Sequence, residues 1–116
     1  MKNEIDSQHC IDDCNRCTQS CLEAIQHCCS KGGSSMSSQL MDLLLSCAES
    51  SQTAAHCLSR SSSMSPRFCE VCSEICNACA DACEKMRGDD KMKRCADACR
   101  RCAASCESMA HAPGGA

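Results

Sequence analysis

Fourteen of the seventeen cysteines fall into three runs: Cys10, Cys14, Cys17, Cys21 and Cys28; Cys69, Cys72, Cys76, Cys79 and Cys83; Cys95, Cys99, Cys102 and Cys106. Their steps of three, four or seven residues return to one face of a helix, so at 100° per residue each run draws a narrow stripe of thiols. Such stripes could pack, oxidise or hold a metal. Packing alone is a poor explanation, because an ordinary helical core places Leu, Ile and Val at these positions. An odd number of cysteines and a start without an apolar leader argue against a disulfide scaffold and for a reducing, cytoplasmic setting.

Metal is the chemistry that uses so many thiols at once. Zinc favours four converging thiolates, often from C-x-x-C turns, and four thiolates on one Zn(II) leave a net charge of −2 that is costly in a low-dielectric core. Sulfurs along continuous helices are expected to form ladders instead. Soft thiolates select Cu(I), which accepts two or three ligands, and Cu(I) matched one to one with bridging thiolates sums to zero charge. Multiple Cu(I) ions are therefore the expected cargo, with a zinc-binding, metallothionein-like protein as the alternative. Iron–sulfur loop spacing, phosphate loops, zinc-protease motifs and nucleophile elbows are all missing from the sequence, and no enzyme is expected.

Turn signals show which elements carry the stripes. Lys31-Gly32-Gly33-Ser34-Ser35, Ser61-Ser62-Ser63-Met64-Ser65-Pro66 and Gly88-Asp89-Asp90 divide the chain into four helical segments of about 20 to 28 residues. Ser65 before Pro66 reads as an N-cap, and Gly88 before Asp89 as a helix end followed by a new cap. Short connections make successive helices antiparallel, which predicts an all-α, up-down-up-down four-helix bundle with a cysteine-lined core. A single domain over residues 1–110 is expected, with a tail at 111–116. Helix 2 is the most conventional wall: its inward stripe runs Leu40, Leu44, Cys47, Ser51, Ala54, Leu58, with Cys57 on an adjacent line. Its Met41, Leu45 and Ala48 are expected on an outward apolar strip, a sign of association into an oligomer.

Composition agrees with a core that is not hydrocarbon. Leu, Ile, Val and Phe together number twelve, about 10% of the chain, so buried thiols and bound metal must supply the missing stabilisation. A net charge of −3 with interspersed signs, one Phe and no Trp or Tyr give nucleic acid neither an electrostatic footprint nor stacking surfaces. No apolar run approaches the roughly 20 residues that cross a membrane.

The C-x3-C-x2-C-x3-C run from Cys10 to Cys21, its extended counterpart from Cys69 to Cys83 and the run from Cys95 to Cys106 resemble those of the bacterial copper storage proteins, over nearly the whole chain. That resemblance implies Cu(I) storage on core thiolates, mostly two-coordinate sites, and a tetramer of bundles; the cytosolic branch is the more similar. A copper chaperone or a small thiol is a candidate donor of the metal. Cytosolic members can carry several histidines near the turn between helices 3 and 4, where this chain has Met86 and Met92 instead.

The remaining soft ligands gather at one end. Register places Met86 seven residues after Cys79 and Met92 seven before Cys99, continuing two thiol lines, and Met36 falls near the Cys47 line. With His27, Cys28 and Cys29 they converge where the first and third loops meet, a mouth through which Cu(I) is expected to pass. Ile5, Phe68 and the apolar part of Met64 are expected to close the other end. His9 and His56 directly precede cysteines and so point about 100° off the stripes.

Overall fold

The computed structural model describes residues 2–31 and 37–111, with side chains from Asp6 onward. Four helices follow in order: α1 (Lys2–Ser30), α2 (Ser38–Ser59), α3 (Ser65–Glu84) and α4 (Asp90–Ala110). Each packs against its two neighbours in a ring, α1 on α2 and α4, α3 on α2 and α4, which is the antiparallel four-helix bundle.

The turns work by local hydrogen bonding. The Ser37 hydroxyl accepts the Leu40 amide at 3.0 Å to start α2. Gly88 takes φ 79°, a left-handed geometry with open space around it, and the Asp89 carboxylate then accepts the amides of Lys91 at 3.1 Å and Met92 at 3.2 Å to start α4. One cap differs from expectation. Met64, not Ser65, is the N-cap of α3; Ser65 lies one residue inside the helix, with a buried hydroxyl that has no partner among the described residues. Pro66, with its fixed φ and missing N–H, suits the first turn wherever the cap falls.

The inward stripe of α2 is buried as its spacing predicts, from Leu40 and Leu44 through Cys47, Ser51 and Ala54 to Leu58. Its expected outward strip is corrected at one position. Ala48 is buried against α1, where Thr18 Oγ1 donates to the Ala48 carbonyl at 3.3 Å, whereas Leu45 is 44% exposed. Small Ala and Thr side chains let these two helices approach closely enough for that bond. On the outside, Arg100 of α4 clasps Asp81 at 2.6 Å and Glu84 at 2.8 Å on α3. Exposed pairs of this kind add about 1 kcal/mol at most and tune rather than create the packing.

Among the described residues no helix is long and apolar enough to cross a membrane.

Candidate metal centre

Sixteen cysteines are buried and Cys29 is exposed. Each run fulfils its periodicity by turning every sulfur to the bundle axis, so that thiols from all four helices meet. Starting from the end that holds the N-terminus of α1, Cys10, Cys69 and Cys106 form one group and Cys14, Cys72, Cys102 and Cys106 the next. Within them Cys106 Sγ lies 3.7 Å from both Cys10 and Cys14, and Cys102 lies 3.7 Å from Cys14. The column continues through Cys17, Cys76 and Cys102 into Cys17, Cys21, Cys47 and Cys99, where Cys47 Sγ sits 3.5 Å from Cys17, 3.6 Å from Cys76 and 3.7 Å from Cys99. Cys95 joins at 3.9 Å from Cys21, and Cys79 and Cys83 are buried in the same core cluster.

The groups overlap. Cys106, Cys102 and Cys17 each belong to two of them, so a metal filling one group shares its sulfurs with the next. This corrects the expectation of simple ladders, because four sulfurs do converge in two places. The reason is the ring of helices: ladders on adjacent walls interleave at the axis, which the spacing within one run does not reveal.

The mouth is built at the opposite end. Met92 is fully buried and Cys28 donates its S–H to the Met92 thioether at 3.7 Å. Met86 is half-buried against the core, beyond the last residue of α3, and with Cys83 it lines a cleft of about 250 Å³ at the α3–α4 turn. His27 is half-buried, its Nε2 3.0 and 3.1 Å from the Asp89 carboxylate oxygens, and Lys31 Nζ reaches the same carboxylate at 3.0 Å. Asp89 thus pins the end of α1 to the start of α4, directly beside the Cys28–Met92 contact. Met36 lies outside the described residues.

A sequence model of the copper storage proteins matches residues 3–111. The chain belongs to the copper storage protein family. Solved structures similar to this family member include a protein of Nitrosospira multiformis, 41% identical, covering 92% of this chain and 96% of that one with a TM-score of 0.85. The Cu(I)-bound copper storage protein BsCsp3, of Bacillus subtilis, is 30% identical over 90% of this chain and 98% of its own, with a TM-score of 0.79. A cytosolic copper storage protein of Streptomyces lividans, solved with five coppers, is 26% identical over 93% and 94% of the two chains, with a TM-score of 0.86. No curated protein matches significantly. The zinc, metallothionein-like alternative is not favoured by these relatives.

Sulfur-to-sulfur hydrogen bonds set the electrostatics of this family member's column. Bonds from Cys106 first, then Cys14 and Cys69, hold Cys10 well below the usual thiol range, and those of Cys21 above all lower Cys95 to about 5. Other thiols shift the opposite way: Cys47 is pushed up to about 11, first by Cys17, and Cys69 to about 12, first by Cys10. Cys28, off this network, is raised by burial and then by the nearby Asp89 charge.

Several sequence expectations find other surroundings. Cys57 is buried but stands outside the core cluster, with the Arg60 guanidinium donating to its sulfur at 3.7 Å. It points to the α3 side of α2, off the axis, as its place on an adjacent line implies. Phe68 is 40% exposed and Met64 48% exposed, so neither closes the far end, and the Ile5 side chain lies outside the described ones. His9 pairs with Asp13 at 3.3 Å, and His56 and His111 are exposed. The Asp89 clasp has no signature in the sequence, since it joins residues 62 positions apart. The observation that could have pointed to it is the acid at the α4 cap combined with His27 and Lys31 at the α1 end of the same mouth.

Proposed function

We propose that this protein stores Cu(I), one chain taking up many ions on its core thiolates as a single domain over residues 1–110. The overlap of the thiol groups carries the reading. One Cu(I) per thiolate leaves the copper-filled core without net charge, and shared sulfurs act as bridges between successive ions. Cys10, Cys14, Cys17, Cys21, Cys47, Cys69, Cys72, Cys76, Cys79, Cys83, Cys95, Cys99, Cys102 and Cys106 are the ligands proposed for the column. Cys28, with Met92, Met86 and His27, forms the mouth through which copper passes, and the cleft lined by Cys83 and Met86 supports that path. The assembly proposed is a homotetramer in the cytoplasm, receiving copper from a chaperone or small thiol and catalysing no reaction.

Zinc would behave differently. The two four-sulfur groups would satisfy about two tetrahedral ions, each adding a net −2 to the core, and the intervening thiols would stay unligated. The test is an anaerobic titration of reduced protein with Cu(I) against a competing chelator, beside the same titration with Zn(II). On the order of one Cu(I) per buried thiol is expected, with zinc stopping near two. Saturation at one or two Cu(I) would overturn the storage reading.

A further inference from the structure

Helix α2 gives the axis one sulfur in the column and, one turn further on, an oxygen. Ser51 is completely buried. Its Oγ lies 3.7 Å from Cys72, 3.9 Å from Cys76 and 3.8 Å from Cys102. Cys47, four residues earlier, keeps 3.5, 3.6 and 3.7 Å to its own three thiols. Ser51 therefore occupies a ligand position of the column in all but element. The neighbouring Ser50 also reaches Cys72 at 3.7 Å, but it differs in that its hydroxyl has the Cys47 carbonyl at 3.2 Å, the usual outlet for a helical serine. The Ser51 hydroxyl has only sulfurs around it among its bonded partners.

A neutral hydroxyl is a hard, weak ligand for Cu(I), so copper at this level must be held by the surrounding sulfurs. We propose that Ser51 sets the copper capacity at the waist of the column and, with its single hydroxyl proton, donates to one of the copper-bound sulfurs of Cys72, Cys76 and Cys102 at a time. This inference rests on the storage reading and deepens it. In the empty protein a hydrogen bond from the hydroxyl to a protonated thiol is weak. In the loaded protein each of those sulfurs has exchanged its proton for Cu(I) and carries more negative charge, and a hydrogen bond to a charged acceptor is roughly twice as strong. The donor accordingly favours the loaded state.

Two substitutions separate the capacity from the donation. Ser51→Cys adds a sulfur at ligand distance from three others, and the new thiol can give up its proton to one further Cu(I). Ser51→Ala removes the donor without adding a ligand. Reduced wild type and both variants would be checked for helicity by circular dichroism, then titrated anaerobically with Cu(I) and stripped with a chelator. We expect Ser51→Cys to bind one more Cu(I) per chain than wild type. Ser51→Ala should bind the wild-type number but begin to lose copper at about five- to tenfold lower chelator concentration. A merely structural serine would move the melting temperature and leave that affinity in place. Wild-type capacity in Ser51→Cys, or wild-type retention in Ser51→Ala, would overturn the proposal, whereas a wild type that binds only one or two ions would instead overturn the storage reading on which it rests.

Discussion

Met92 shows how one residue can serve both packing and chemistry. Its side chain is fully buried, so it fills the mouth as hydrocarbon would, yet its sulfur stands 3.7 Å from Cys28. Leucine has nearly the same volume and no sulfur, and such swaps usually cost less than about 1.5 kcal/mol. Met92→Leu is thus expected to fold and to keep its capacity to within one ion, but to take up and release Cu(I) several-fold more slowly. Stopped-flow mixing of the reduced variant with a Cu(I) donor measures this, and wild-type rates would make Met92 a plug alone. Heptad register alone was enough to place Met92 on a thiol line, because Met92 and Cys99 share one continuous helix. The same reasoning expected Met64 to help close the far end, where it is 48% exposed, whereas Cys57, 80° around α2 from Cys47, stands off the axis beside Arg60 as its adjacent line implies.

At the scale of elements, the bundle relies on caps and a clasp to join helices whose contact surface is largely sulfur. Asp89 does both, capping α4 and binding His27 of α1 and Lys31 just beyond its end. The hydrogen bond from Lys31 above all, with His27 and the Met92 amide, holds its carboxyl well below the usual carboxylate range. A depressed carboxyl stabilises the fold above its unfolded pKa, ordinarily 3.8, and that stabilisation disappears as pH falls through the lower folded value. Asp89→Asn retains a good capping side chain while deleting the charge. Its melting temperature should therefore lie below wild type at pH 7, with the two converging as pH falls from about 4 toward 2. Parallel melting curves across that range would show that the cap, not the charge, matters. The stop at Gly88 and the start at Asp89 were legible because each is a local signal. The clasp was not, because side chains from α1 had to be brought to it by the fold. Ser65 shows the reverse limit: a strong local cap signal yields by one residue to the path of the chain from Ser61, whose φ of 54° closes the turn after α2.

Across the whole molecule, periodicity and punctuation determine nearly all of the architecture. Three stripes of cysteine and one of mixed Leu, Cys, Ser and Ala need a common interior, and short connections allow one antiparallel ring to provide it. What spacing does not contain is how ladders on four walls interlock, and it is this interlocking that produces the overlapping groups around Cys17, Cys102 and Cys106. The interlocking also predicts how the protein folds without copper. Buried thiols at 3.5 to 4.0 Å make close van der Waals contacts and act as small hydrophobes, while Leu44 and Met92 add larger apolar volume to the same core. The reduced, metal-free chain is thus expected to be predominantly helical, with a cooperative thermal transition. Cu(I) binds the ordered column far better than scattered cysteines, so it should raise the melting temperature, increasingly so with each added equivalent, rather than create the helices. Far-ultraviolet circular dichroism through a Cu(I) titration distinguishes the two cases. A coil spectrum that becomes helical only as copper is added would mean that the sulfur core cannot hold the bundle by itself and that metal ligation is part of the folding reaction.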